Sequence, residues 1–270
     1  MKEARTLKGI EHLPDPMKDL LYDDDALFRI LTDNVKLQRI KQNIEESKST
    51  WGSNDIFHVT ELIGCCTKAS YLRNPPEGYT VEQLEPSLQT QYYFFRGNIF
   101  DLIFSMAMPH SQVDFNIPVE NDRGYNISIV GRADWLDVED GKITCVNDLK
   151  TVKNLWYVKK QGAKKDHFIQ LMTYAYIFGA PKVRIYYLDL GDLIVKEFNV
   201  KDNIIDQTKI INKLKERAIG LYEAVNDKKI YLPNGKPEID WKDQDEGWKC
   251  RPIYCPFTEK CHPDHTDLKK

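Results

Sequence analysis

The sequence predicts a mixed α/β fold in which helices lie before, between and after the strands. Two observations carry this. The hydrophobic period changes along the chain, from helical spacing to strand-like stretches rich in Val and Ile, and back again. The segments also follow the order helix, three strands, helix, two strands, helix, which suits a mixed sheet covered by helices. With 270 residues, 41% of them hydrophobic, the chain can bury a substantial core.

Residues 1–58 read as an N-terminal helical arm. Leu27, Ile30, Leu31 and Val35 recur at helical spacing, and Asp23, Asp24 and Asp25 stand where a helix N-terminus favours negative charge. Residues 59–110 read as a helical segment. HVTELIGCCTKASYLR is a short amphipathic helix with Thr60 as its cap, Asn74-Pro75-Pro76-Glu77-Gly78 is a loop, and QYYFFRGNIFDLIFSMA is a second helix.

Residues 111–230 form the expected α/β core. VDFNIPVE, YNISIVGRADWLDV and KITCVNDLKTV read as strands, with a hairpin at Asp140-Gly141. HFIQLMTYAYIFGA is a helix that stops at Gly179 and Pro181. KVRIYYLDL and LIVKEFNV are a strand pair around Gly191-Asp192, and DNIIDQTKIINKLKERAIGLYEAV is a long amphipathic helix. Residues 231–270 are rich in Pro, Gly, Trp and Cys and have little periodicity.

Composition excludes several classes. The formal net charge of -3 is not that of a strongly basic nucleic-acid binder, so any such site must be a local patch. No apolar run reaches membrane-spanning length, and the N-terminus has no apolar signal core. The expectation is a cytoplasmic protein without a membrane partner. Six cysteines in such a chain point to metal binding more than to disulfides.

Three pieces of sequence converge on one chemistry. VGRADWLDV places Asp134 on a strand, and CVNDLKTVK places Asp148 and Lys150 on the next, two residues apart and so on one face. QLMTYAY places Gln170 and Tyr174 one helical turn apart. Paired aspartates hold Mg²⁺ or Mn²⁺, hard ions that prefer oxygen. Such an ion polarises a phosphate and lowers the pKa of a bound water. A neighbouring lysine orients that water and offsets developing charge. Gln170 and Tyr174 can steer the lysine or a nucleic-acid strand.

Register sets a condition on this reading. A strict two-residue turn at Asp140-Gly141 would put Asp134 and Asp148 on opposite faces. The site therefore requires a three- or five-residue loop, or a bulge.

Between the strand and the helix runs KTVKNLWYVKKQGAKKDH, where Lys153, Lys159, Lys160, Lys164 and Lys165 surround Trp156 and Tyr157. Basic groups track phosphates and aromatic faces stack on unpaired bases, so this segment is the expected grip on a single nucleic-acid strand.

Cys250, Cys255 and Cys261 crowd into a tail with no core of its own, and Cys65 and Cys66 lie near the start of the chain. Three tail thiols and one from the pair make a Cys₄ set that suits a [4Fe–4S] cluster or a structural zinc. His262 and His265 keep zinc open as the alternative. Cys145 sits inside a strand and reads as a buried small hydrophobe.

Taken together, these motifs resemble the CRISPR-associated, RecB-like iron–sulfur exonucleases of the PD-(D/E)XK superfamily, from about Thr60 to Cys261, with the first fifty residues outside the likeness. GRAD resembles the family's G-x-D strand, Asp148-Leu149-Lys150 its E-x-K, and Gln170 with Tyr174 its Q-x-x-x-Y. CTKASYL resembles its cysteine-led helix if the cysteine is Cys66, which makes Cys66 the first choice over Cys65. Where the family has G-x-x-x-H, this chain has Gly97 and Asp101, an oxygen ligand in place of histidine.

The resemblance implies a restriction-endonuclease-like sheet closed by the cluster, with Cys66, Cys250, Cys255 and Cys261 as its ligands and Asp101, Asp134 and Asp148 on the divalent ion. It implies a single-stranded DNA exonuclease, 5′ to 3′ favoured, with endonuclease activity also compatible. The pathways implied are CRISPR adaptation in antiviral defence, recombination and repair, with partner proteins from those pathways and a homo-oligomer compatible. Two rival readings remain at this stage: a catalytically weak iron–sulfur adaptor, favoured by Asp101, and a zinc-stapled structural protein.

Overall fold

The computed structural model describes residues 53–79, 88–189, 195–200, 207–240, 242–243, 246–252 and 254–263. Most of the expected N-terminal arm, including Asp23–Asp25, and His265 lie outside them. The described chain divides into two compact units, 91–114 with 132–189 and 195–200 in one, and 53–79, 88–90, 115–131 and 207–263 in the other.

Among the described residues the strands are β1 (Ile56–His58), β2 (Ser111–Pro118), β3 (Ser128–Glu139), β4 (Lys142–Val152), β5 (Lys182–Asp189) and β6 (Val195–Val200). They form a mixed sheet in the order β1-β3-β4-β5-β6, with β2 also paired to β3. β1 runs parallel to β3, β3 antiparallel to β4, β4 parallel to β5 and β5 antiparallel to β6. The helices are α1 (Val59–Ile63), α2 (Cys66–Arg73), α3 (Leu88–Ala107), α4 (Trp156–Gln161), α5 (Lys165–Phe178), α6 (Gln207–Asn226) and α7 (Thr258–Cys261). None of them is long and apolar enough to cross a membrane.

In the first unit, Phe104, Met108, Trp135, Leu149, Tyr186, Leu188 and Val195 pack as one core, with Trp135 stacked on Tyr186 at 5.2 Å. β4 is buried from Cys145 to Leu149 on both faces, as expected of a strand with a parallel neighbour. The α5 crossover between β4 and β5 packs on both strands and ends at Gly179 in the left-handed conformation, φ 64°. α3 approaches β4 closely at Gly97, where a Cβ would lie 3.1 Å from Thr151 Oγ1.

The hairpin decides the register. Glu139 pairs with Lys142 across the two-residue turn, and Asp140 and Gly141 have φ 49° and 73°. The register then slips between Asp137 and Val138, leaving Thr144 as the extra residue of a β-bulge. Beyond the bulge Trp135 faces Asn147, which brings Asp134 opposite Asp148. The bulge meets the condition that the sequence set.

In the second unit the segment expected as one helix capped by Thr60 is two. Thr60 lies inside α1, whose N-cap is His58 with no side-chain capping bond, and the chain breaks at Gly64 before α2 starts from Cys65. A Cβ on Gly64 would meet the Thr60 carbonyl at 3.2 Å. Tyr71 stacks on Phe257 at 4.8 Å and Thr258 Oγ1 donates toward the carbonyls of Cys250 and Cys255, which ties the tail down.

Candidate active site

In the first unit, Asp148 is 1% exposed and its Oδ1 accepts a 2.8 Å hydrogen bond from Lys150 Nζ. Its other oxygen, Oδ2, is buried and has no hydrogen-bond partner. A buried carboxylate oxygen without a donor is costly unless a cation fills the gap. On the neighbouring strand, Asp134 Oδ2 accepts the Leu149 N–H at 2.6 Å.

Asp101 comes from α3. The Gln112 Nε2 lies 3.4 and 3.5 Å from its two carboxylate oxygens and donates to Ser105 Oγ at 2.6 Å. Gln112 itself holds φ 52°, a left-handed conformation unusual for a side chain of its length. Gln112 was not anticipated: it lies at the start of β2, just before the alternating Val113, Phe115 and Ile117, and a strand period does not reveal its reach to Asp101.

Electrostatics joins these groups. Burial pushes the Asp101 carboxyl up to about 6, with Asp148 adding to the shift and Lys150 and Arg132 opposing it. Burial, then the charges of Asp148 and Asp101, hold Asp134 well above the usual carboxylate range. For Lys150 burial acts downward, but Asp148 and Asp134 outweigh it and raise the ammonium above the ordinary lysine value. The ammonium therefore stays charged among carboxylates that repel one another.

α5 contributes its inner face. Gln170 Nε2 donates to Tyr174 OH at 2.8 Å, and burial raises the Tyr174 phenol while Lys150, Asp148 and Asp134 all act on it. Tyr187 on β5 pairs in register with Lys150, accepts the Lys164 N–H at 3.0 Å and lies 2.9 Å from His167 Nδ1. Neither Tyr187 nor His167 was anticipated, although His167 precedes Gln170 by one helical turn.

Past β4, α4 buries Leu155 and Val158 and exposes Trp156 (66%) and Tyr157 (45%). Lys160 Nζ stands 5.1 Å from the Trp156 ring, and Lys153, Lys159, Lys164 and Lys165 are exposed.

In the second unit, Cys65, Cys250, Cys255 and Cys261 line one cavity of about 400 Å³, with Leu72, Ile239 and Trp248 among its apolar walls and His262 also in its lining. Burial raises the Cys65, Cys250 and Cys261 thiols, to about 12 at Cys250 and Cys261. Cys66 is not among the lining residues. Its Sγ faces Arg217 Nε at 3.4 Å and the Leu62 carbonyl at 3.9 Å. Of the adjacent pair it is Cys65 that lines the cavity, because the N-cap and the first helical residue point in different directions. Cys145 lies apart in β4 and is buried, as expected.

Among the described residues, no three His, Cys, Asp or Glu side chains form a ready-made metal cage. The donor chemistry still fits two kinds of ion. Asp101, Asp134 and Asp148, with the orphaned Asp148 Oδ2, suit a hard divalent cation. The four thiols suit a soft metal or an iron–sulfur cluster.

Residues 20–262 match the PD-(D/E)XK nuclease superfamily. The chain belongs to this superfamily. The match begins inside the segment that sequence reading left outside the likeness. Superfamily members generally use divalent metals such as Mg²⁺ or Mn²⁺.

Among solved structures, the PD-(D/E)XK fold of this chain is similar to that of the protein SSO0001, with a TM-score of 0.52 and 21% identity over 84% of this chain and 95% of the other. An alkaline exonuclease from Laribacter hongkongensis matches more loosely, with a TM-score of 0.37 and 11% identity over 67% of this chain and 93% of its own. No curated protein matches the chain.

Proposed function

We propose that this chain is a divalent-metal-dependent deoxyribonuclease that degrades single-stranded DNA, with a [4Fe–4S] cluster in its cysteine cavity. The observation that carries the nuclease reading is the buried Asp148, bonded to Lys150 through one oxygen and left without a donor on the other, opposite Asp134. Asp101, Asp134 and Asp148 are the residues that would hold Mg²⁺ or Mn²⁺. When bound, such an ion polarises the scissile phosphate and supplies a water of lowered pKa.

The chain's own groups do the rest. Lys150, kept protonated by its carboxylate neighbours, orients the attacking water and offsets charge on the phosphate. Gln170 holds the Tyr174 phenol toward the lysine. Trp156 and Tyr157 stack on unpaired bases while the surrounding lysines follow the backbone.

The cluster reading rests on four thiols around one cavity, with Cys65, Cys250, Cys255 and Cys261 as ligands. Zinc, with His262 in the cavity lining, is the rival occupant, and iron and sulfide assays separate the two. A 5′ to 3′ exonuclease in CRISPR adaptation, recombination or repair remains the expected role, acting with proteins of those pathways or as a homo-oligomer.

The test is degradation of single-stranded DNA labelled separately at its 5′ and 3′ ends, with Mg²⁺ or Mn²⁺. Activity abolished by Asp148→Asn supports the nuclease and reports polarity. Metal-loaded, cluster-bearing protein that leaves both labels intact overturns it in favour of a DNA-binding adaptor.

A further inference from the structure

Two adjacent cysteines begin α2, yet only one faces the cavity. Successive residues on a helix differ by about 100° in direction, so a single ligand must be selected from the pair. Nothing in the Cys65-Cys66 dipeptide makes that selection. The residues around Cys66 do.

Arg217 on α6 donates from Nε to Cys66 Sγ at 3.4 Å and from Nη2 to the Gly64 carbonyl. The same Nη2 lies 2.9 Å from Glu238 Oε1, in a pair whose side chains are only 13% and 17% exposed. Glu238 Oε2 in turn accepts the Cys66 N–H at 2.6 Å. The backbone on either side of Cys65 is thus gripped, at the Gly64 carbonyl and the Cys66 amide, by one ion pair.

A second set of bonds fixes the segment that carries Glu238. Thr67 Oγ1 donates to the Tyr231 carbonyl at 2.8 Å and accepts the Glu238 N–H at 3.1 Å, while Ser70 Oγ accepts the Tyr231 N–H at 3.0 Å. Tyr231 also rests on Gly220 of α6, where a Cβ would come within 2.6 Å of its ring. Cys65 is left as the N-cap, in extended conformation, with its Sγ accepting the Lys68 N–H at 3.4 Å. A helix N-terminus favours a thiolate, and an N–H bond to sulfur supports a metal-bound one.

Building on the cluster reading above, we propose that Arg217 and Glu238 are positioning residues for the metal site, an ion-pair clamp that withdraws Cys66 and presents Cys65 to Cys250, Cys255 and Cys261. A buried arginine–carboxylate pair contributes little net stability, and its use lies in fixing one arrangement over another. Here the arrangement fixed is which of two thiols becomes the ligand.

The test uses full-length protein purified without oxygen, with iron and sulfide per chain, visible absorption and the rate of iron loss to a chelator as readouts. Cys65→Ser is expected to lose the cluster, and Cys66→Ala to keep it. Arg217→Met and Glu238→Gln are expected to lose iron to the chelator about tenfold faster than wild type, the scale of effect of residues that support metal ligands. Arg217→Lys restores part of the wild-type rate, because it keeps the charge but not the fork.

Wild-type protein without iron and sulfide would sink the cluster reading and the proposal with it. Iron-loaded wild type with Arg217→Met and Glu238→Gln losing iron at its rate would sink the clamp alone. Should Arg217→Met fail to fold, thiol alkylation of the metal-free protein decides. Cys65 is expected to react ahead of Cys66 in wild type, and a preference unchanged in Glu238→Gln would overturn the proposal.

Discussion

Asp101→Asn is expected to make the metal-free protein more stable, not less. In the folded state burial and the neighbouring Asp148 carry the Asp101 carboxyl to about 6, against about 3.9 for an unfolded chain. Between those values the folded state holds a proton that the unfolded chain has released, so stability falls as pH rises through the window. Above about 6 the penalty is complete. Two units at about 1.4 kcal/mol each give a penalty of about 3 kcal/mol, which the amide removes. Gln112 still finds an oxygen to bond on the amide. Urea unfolding in EDTA at about pH 8 and about pH 4.5 reads the effect, as a gain approaching that size at the higher pH and a small one at the lower. Mn²⁺ is expected to stabilise wild type at the higher pH and to do little for Asp101→Asn. A variant that is destabilised equally at both pH values would refute the reasoning, because it would mean that Asp101 is held by favourable contacts and not crowded by like charge.

Lys150→Met, measured on single-stranded DNA, is expected to lower kcat by about two to three orders of magnitude with a smaller change in KM, since the ammonium serves the reacting phosphate more than the ground state. Changing Lys159, Lys160, Lys164 and Lys165 together to glutamate should weaken DNA binding and flatten its salt dependence, by about 0.7 in the log–log slope for each lost phosphate contact. Gly97→Ala should withhold the helix gain of about 0.5–1 kcal/mol that alanine normally brings, because the new Cβ meets Thr151 Oγ1, and should release it in a Thr151→Ala background. Chemical denaturation of the two single variants and the double reads that coupling.

The sequence made the sheet and the carboxylate–lysine pair legible because both depend on period. Residues two apart on β4 and four apart on α5 face together by geometry alone, and Asp148 with Lys150 and Gln170 with Tyr174 are hydrogen-bonded for that reason. The bulge was legible only as a requirement. Aligning Asp134 with Asp148 demanded an irregularity somewhere in the hairpin, but nothing in Ile143-Thr144-Cys145 marked Thr144 as the extra residue. β1, three residues long, is too short to show a period at all. Gln112 and Tyr187 were invisible for a different reason: each acts by proximity to a residue distant in sequence, Asp101 in one case and Lys150 in the other.

The cysteines show where spacing stops carrying information and packing begins. Spacing predicts that one of two adjacent thiols joins the tail trio, because four donors are wanted and three are in place. It cannot choose between them, since the choice depends on helical phase, and phase depends on where α2 begins. Gly64 interrupts the helix there and leaves Cys65 in an extended cap, so the phase of α2 is set at Cys66 and is not inherited from α1. Arg217 and Glu238 lie roughly 150 and 170 positions away, yet their bonds to Gly64 and Cys66 hold that start in place. On the proposed clamp, the ligand choice is a tertiary property of Arg217 and Glu238, which a motif comparison centred on CTKASYL does not include.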